Sequence, residues 1–267
     1  MSHFYRGFEN VDGSADEQSF FQFLDLASRL PSLAKYRDRM LELCPITAGS
    51  VVLDVGCGIG NETTRLASRV GKKGRVNGID SSGSLIKEAQ RRTEGLDVPL
   101  YFQPGDAHSL RFEDSSFDVC RAERVLMYLE NPAKAIAEMA RVTRSGGHVI
   151  IFDFDHRAFF IDSDFAPMTR NIEAMLADEP RNPLIGRELP HLMRRCKLKI
   201  DMIEQTTLIP TLVIARRIYG ATISKGIRAE LFKASDVEAW WQEQEAKERE
   251  GTFYHSHPGY IVVASRL

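Results

Sequence analysis

The stretch Leu53-Asp54-Val55-Gly56-Cys57-Gly58-Ile59-Gly60 decides how the rest of this chain is read. It closes a short apolar run, Ser50 to Val55, and leads into residues 61–70, which suit a helix. A strand that breaks at glycines and restarts as a helix lets backbone approach a ligand closely, because glycine has no side chain in the way. The helix start adds free N–H groups and a partial positive charge. A nucleotide-type ligand is expected there. Spacing narrows the choice. The dinucleotide fingerprint G-x-G-x-x-G needs a glycine at position 61, which is Asn61; the glycines run instead Gly56, Gly58, Gly60, with Asp54 two residues ahead of the first.

Outward from this turn the pattern repeats. Gly74 to Asp80 reads as a second strand, ending in an acid 20 residues past Gly60. A carboxylate at that place can accept both hydroxyls of a ribose. Ser81 or Ser82 can cap the next helix, which runs to about Glu94. Val98 to Gln103 is a third strand, leading to Gly105-Asp106-Ala107, and Phe117 to Arg121 a fourth. Pro132 to Thr143 reads as a helix with proline at its start and Gly146-Gly147 just after its end, before a fifth strand, Val149 to Phe154. Apolar strands without polar alternation, separated by helices, predict a buried parallel sheet. Right-handed crossovers place helices on both faces, with ligands at the carboxyl ends of the strands.

The flanks are more helical. Residues 16–44 suit two helices broken at Pro31, the second carrying Leu33, Tyr36, Met40 and Leu43 at helical spacing. Beyond 155, helices are expected over 165–178, 187–195, 211–224 and 235–249, with strands over 198–207 and 260–266. Residues 208–250 form an insertion between those strands, placed to act as a lid. The expected architecture is α/β: a Rossmann-like, doubly wound, mostly parallel sheet with N-terminal helices and a helical C-terminal insertion. Its parts are a 1–45 segment covering the site, a 46–155 cofactor core and a 156–267 substrate and lid region.

Composition bounds the function. The 267 residues carry 35 Lys and Arg against 37 Asp and Glu, a net charge of −2. That balance argues against general nucleic-acid binding, which needs a basic footprint. No apolar run is long enough to span a bilayer, and residues 1–12 lack the apolar core of a secretory signal. Cys44, Cys57, Cys120 and Cys196 form no CxxC pair, which suggests reduced thiols and no zinc site. A soluble cytoplasmic protein is expected, a monomer or homodimer, with no metal and no membrane partner.

The D-x-G-x-G-x-G pattern resembles the first motif of class I S-adenosylmethionine-dependent methyltransferases. Asp80, the Gly105-Asp106-Ala107 triplet, the run from Phe112 through Pro132 and Arg144-Ser145-Gly146-Gly147 resemble that family's later motifs in order. The resemblance covers residues 35–155 closely. Looser likeness outside points to a small-molecule branch similar to the ubiquinone and menaquinone-biosynthesis methyltransferases. It implies S-adenosylmethionine as cofactor, held by Asp54, Gly56, Cys57, Gly58, Gly60, Asp80, Ser81, Gly105, Asp106 and Ala107, with Arg121 or Arg124 framing its methionine end. Asp54 then suits an ammonium, directly or through water, better than a pyrophosphate. The implied reaction is in-line displacement of the sulfonium methyl onto an O, N, S or C atom of a small acceptor, in which aligning the reactants does most of the work.

The catalytic candidates follow the fourth and fifth strands: Glu123, Tyr128 and His156, with Asp153 and Asp155 beside the last. Relatives carry histidine near Met127-Tyr128, a base this chain lacks there. Glu123 and Arg124 read equally well as an ion pair, Tyr128 as a packing residue and Cys57 as a small buried filler. Tyr5 and Phe8 are placed to close the pocket if the N-terminal segment folds over it. His255 and His257 share a face if their segment is a strand. Two rival readings keep the fold: non-methyl-transfer chemistry on the same bound cofactor, and an NAD-dependent oxidoreductase.

Overall fold

The computed structural model describes residues 7–267. Its strands are β1 (Val51–Val55), β2 (Arg75–Asp80), β3 (Leu100–Pro104), β4 (Phe117–Glu123), β5 (Thr143–Phe154), β6 (Phe160–Ile161), β7 (Leu198–Leu208) and β8 (His255–Arg266). They form one sheet in the order β3-β2-β1-β4-β5-β8-β6, with β7 on the other edge of β8. The first five are parallel, and β8 runs antiparallel to β5, β6 and β7. Val52, Leu53, Val55 and Val149 to Phe152 are all buried. Helices cover both faces there, which is why these strands read as apolar runs without alternation. The chain steps outward from β1 to β3, then returns to place β4 on the other side of β1. The crevice at that reversal opens at the strands' carboxyl ends.

The helices are α1 (Glu17–Ser28), α2 (Pro31–Leu43), α3 (Asn61–Val70), α4 (Gly83–Thr93), α5 (Pro132–Val142), α6 (Ala166–Ala177), α7 (Ile185–Arg195), α8 (Leu212–Arg228) and α9 (Ala234–Glu250). Their starts follow local chemistry. Asp16, Ser82 and Asn131 cap α1, α4 and α5 by accepting a backbone N–H three residues on. Pro31 and Pro132 occupy first-turn positions where no N–H is needed. The α8–α9 pair is the expected insertion between β7 and β8. It is tied to α6 by Trp240, whose Nε1 donates to Thr169 Oγ1 at 3.0 Å.

Two strands outrun the sequence reading. β5 begins at Thr143, not Val149, because Gly146 adopts φ +73° and absorbs an irregularity between the Thr143–Phe117 and His148–Val119 pairs. β8 begins at His255, not Tyr260. Pro258 and Gly259 look like a break, yet β7 pairs with the strand through both. The short β6 and the single 3₁₀ turns at Val11–Gly13, Leu126–Tyr128 and His156–Ala158 carried no periodic signal.

Candidate functional site

Three strand-end turns are laced together at the crevice. The N–H groups of Gly56 and Cys57 both donate to the carbonyl of Ile79, at 2.8 and 2.9 Å, and Gly105 donates to that of Asp80 at 2.9 Å. Gly56 has φ +71°, and a Cβ there would lie 2.2 Å from Val125 Cγ2, so only glycine fits. Beside these turns lies a cavity of about 530 Å³, within the range of small-molecule sites. Asp54, Gly56, Cys57, Gly58, Asp80, Ser81, Gly105, Asp106, Ala107, Arg121, Glu123, Arg124 and Tyr128 all line it. Gly60, Asp153, Asp155 and His156, also singled out in the sequence, do not. Gly60 closes the turn from behind, at φ +81° and packed toward Phe102. His156 lines a small neighbouring pocket of about 20 Å³ with His257.

Asp80 is aimed by backbone. Its carboxylate accepts from Gly58 N at 2.9 Å and Ser82 N at 3.0 Å, one bond to each oxygen. Burial pushes its pKa up against those two bonds. Asp106 is held by His108, whose backbone N and Nδ1 both lie 2.8 Å from its Oδ1. Burial disfavours its charge, but the contacts to His108 outweigh that and lower its pKa. Cys57 is buried, and burial, then Asp80 and Asp54, raise its thiol pKa well above the usual range. It is a filler under the turn and a poor nucleophile.

Beneath the glycine turn lies a buried ion network that the sequence reading only touched. Asp54 Oδ2 accepts from Thr63 Oγ1 at 2.6 Å, and its Oδ1 lies 3.4 Å from Arg121. Arg121 donates onward to Glu123 Oε2 at 2.8 Å. Glu123 Oε1 accepts from Tyr36 at 2.6 Å and from Arg37 Nε at 2.7 Å, while Arg37 also pairs with Glu62 at 3.5 Å. Burial opposes charge on Glu123, yet the guanidiniums of Arg37, Arg124 and Arg121 together hold its carboxyl far below the ordinary carboxylate range. A carboxylate held this way has little affinity for a proton, so Glu123 is a structural anchor and a poor general base. Arg37 and Glu62 left a trace in the sequence: each sits a helical turn from apolar core positions, Arg37 from Leu33 and Glu62 from Leu66.

The far side of the cavity is mostly apolar, with Phe23, Leu30, Leu33, Phe154 and Ile218 among its walls. Tyr128 enters it from the Leu126–Tyr128 turn and faces Phe8, ring centroids 6.0 Å apart. Phe8 lies where the N-terminal segment was expected to close the pocket; Tyr5 falls outside the described residues. That segment is latched by Asp12, which accepts from Gly83 N (2.8 Å), Ser84 N (3.1 Å) and the Ser82 hydroxyl. Burial disfavours its charge, but these bonds prevail and lower its pKa to about 2.

Asp153 holds the Tyr128 turn in place. It is fully buried and accepts from Leu126 N at 2.9 Å and Met127 N at 3.3 Å. Burial raises its pKa to about 7, against 3.8 for an ordinary Asp. Between those values the folded state keeps a proton that the unfolded chain has lost, so stability falls as pH rises from about 4 to 7. Asp153→Asn removes this titration. The melting temperature of the variant minus that of the wild type is therefore expected to climb through that window. A difference that stays flat with pH would place the proton elsewhere.

His156 and His257 meet edge to face, centroids 4.5 Å apart, and burial lowers the pKa of each: His156 well below 6.5, with His257 next in effect, and His257 to about 3. Asp155, the other strand-end acid, pairs with Arg187. His255 bonds Gln244 Oε1 at 2.9 Å, away from His257. Among the described residues no group of three or more His, Cys, Asp or Glu is placed to hold a metal, and no helix is long and apolar enough to cross a membrane.

This strand order, with a glycine turn after β1 and an acid at the end of β2, defines the class I S-adenosylmethionine-dependent methyltransferase fold. Residues 46–206 match the profile of a methyltransferase domain family, and the chain belongs to that family. An uncharacterized 37.1 kDa protein in transposon TN4556 of Streptomyces fradiae is 32% identical over 249 residues, 91% of this chain and 70% of the relative. A demethylmenaquinone methyltransferase of Bacillus licheniformis is 31% identical over 126 residues, 47% of this chain and 54% of its own length, so the chain spans about half of that relative. The solved structure of Haemonchus contortus phosphoethanolamine N-methyltransferase 2 with S-adenosyl-L-methionine shares the fold at a TM-score of 0.60 and 15% identity, over 97% of this chain and 60% of that one. The protein is an S-adenosylmethionine-dependent methyltransferase. The donor set suits that cofactor: an acid aimed by backbone at the end of β2, a second acid after β3 and a turn at Gly56 that no side chain can enter.

Proposed function

We propose that the methyl acceptor is a small, largely apolar molecule that enters the chamber between the N-terminal segment, α1, α2 and α8. The observation that carries this is the continuity of the 530 Å³ cavity, from the strand-end turns to an apolar far side lined by Phe23, Phe154 and Ile218. In this reading Asp80 holds the ribose, Asp106 and Ser81 border the adenine, and the turn from Gly56 to Gly58 carries the methionine portion. The bound cofactor supplies an activated methyl group with a good leaving group. The chain's own residues do the rest: they align the acceptor, keep water out through Phe8 and the N-terminal cover, and fix Tyr128 on the transfer path through Asp153.

The division expected from sequence fits this reading: 1–45 as cover, 46–155 as cofactor core and 156–267 as acceptor wall. The four cysteines are free thiols, which supports a cytoplasmic setting. Parallel calorimetric titrations with S-adenosylmethionine, S-adenosylhomocysteine and NAD test the reading. Micromolar binding of the first two and none of NAD is expected. Binding of NAD alone would overturn it. With the cofactor fixed, a screen of small apolar acceptors for methyl uptake tests the rest.

A further inference from the structure

Arg124 sits at the cavity edge of the Glu123 network, its Nε 3.4 Å from Glu123 Oε1. It is the one residue of the β4 end with a left-handed backbone, φ +57°, a conformation uncommon outside glycine. Such strain persists where the surroundings over-determine it, and it clusters at functional sites. The backbone is fixed by the bond from Arg124 N to Phe152 O, at 2.8 Å. Its side chain lines the cavity, and its buried Nε has no hydrogen-bond partner. The rest of the guanidinium donates to no described residue, and the side chain keeps 18% exposure at the cavity, so its terminal N–H groups are open to a ligand.

Among the described residues its one ion pair is with Glu123. Glu123 Oε1 lies 3.4 Å from Arg124 Nε, but that carboxylate is already bonded by Tyr36, Arg37 and Arg121. Asp153 spends its oxygens on the backbone of Leu126, Met127 and Phe154. Arg124 follows β4, on the β5 side of the turns after β1, β2 and β3. Arg121, the other arginine considered for the methionine end, is committed to Asp54 and Glu123. A second unpartnered atom lies on the Arg124 side: Nε2 of His257 is buried without a hydrogen bond, its ring stacked 4.1 Å from Phe154, which lines the chamber.

We infer that Arg124 is a specificity-determining residue, which receives an oxyanion of the methyl acceptor: a carboxylate, or a phenolate or enolate, carried on an apolar body. This rests on the methyltransferase reading above. In an apolar chamber one guanidinium selects an anion over its neutral isostere, and for an acidic hydroxyl it also favours the ionised form.

The test uses the full chain saturated with S-adenosylhomocysteine and four naphthalene probes: 2-naphthoate, its neutral carboxamide, 2-naphthylmethylamine and 2-naphthol. Calorimetry is expected to show naphthoate binding at least tenfold tighter than the carboxamide or the amine. In Arg124→Met that preference is expected to fall to within twofold while S-adenosylhomocysteine affinity stays within threefold; Arg124→Lys keeps part of the preference. For 2-naphthol at pH 8, a naphtholate absorbance band in the wild type that Arg124→Met lacks identifies an ionisable hydroxyl as the oxyanion source. Naphthoate preference without that band identifies a carboxylate. Equal or absent binding of naphthoate in the wild type overturns the inference, as does a tenfold loss of S-adenosylhomocysteine affinity in Arg124→Met, which would give the guanidinium to the cofactor. If Arg124→Met does not fold, the wild-type comparison of naphthoate with carboxamide decides alone. Failure of the wild type to bind S-adenosylhomocysteine would instead strike the methyltransferase reading itself.

Discussion

Replacing Arg121 with methionine is expected to cost about 3–5 kcal/mol of stability, the usual penalty for breaking a buried ion pair from one side. The side chains of Arg121, Asp54 and Glu123 are only 3%, 4% and 6% exposed. Methionine fills much of the volume but leaves two carboxylates facing one another under the glycine turn. Burial already raises the pKa of Asp54, opposed chiefly by Arg121, so its removal drives Asp54 toward the protonated form. A denaturant titration reads the loss directly. A loss under about 1 kcal/mol, the usual size for a surface pair, would mean that Thr63, Arg37 and Tyr36 suffice to hold the network. The same variant is expected to loosen the turn from Gly56 to Gly58, so cofactor affinity falls with stability.

Asp80→Ala is the second large effect, on binding and not on folding. The carboxylate is aimed from below by Gly58 N and Ser82 N, which leaves lone pairs for the cavity side. Two hydrogen bonds from ribose hydroxyls to a charged acceptor are each worth about 1.5–3 kcal/mol, so their loss is expected to weaken cofactor binding by about 100-fold or more. Because burial raises the pKa of this carboxyl, the alanine variant is not expected to melt much below the wild type. Calorimetry with S-adenosylhomocysteine gives the number. Unchanged affinity would remove the ribose from Asp80.

The sheet was legible because its central strands, β1, β4 and the second half of β5, are apolar runs buried on both faces, punctuated by glycine, proline and capping residues at Gly56, Ser82, Asn131 and Pro132. What stayed hidden depended on contacts between distant segments. Nothing local announces that Pro258 and Gly259 will be carried through a strand by β7, or that Gly146 will sit inside β5. The cavity residues after β1, β2 and β3 could be read from spacing because they sit at strand ends and glycine turns. The apolar side of the cavity could not, because its walls come from α1, α2, α8 and the N-terminal segment, and apolar residues on those elements look like any core. Glu123 was found as a candidate, but its role turns on Tyr36 and Arg37, roughly 87 residues earlier in the chain.

The Asp12 latch has one more consequence. The carboxylate that fastens the N-terminal segment bonds the first residues of α4, immediately after Asp80 and Ser81. Asp12 and Asp80 are therefore fixed to the same few peptide units, Ser82 to Ser84. Lifting the segment strips an acceptor from the start of α4. If Asp80 holds the ribose as proposed, nucleoside and N-terminal segment share one anchor, and whatever loosens one is felt by the other.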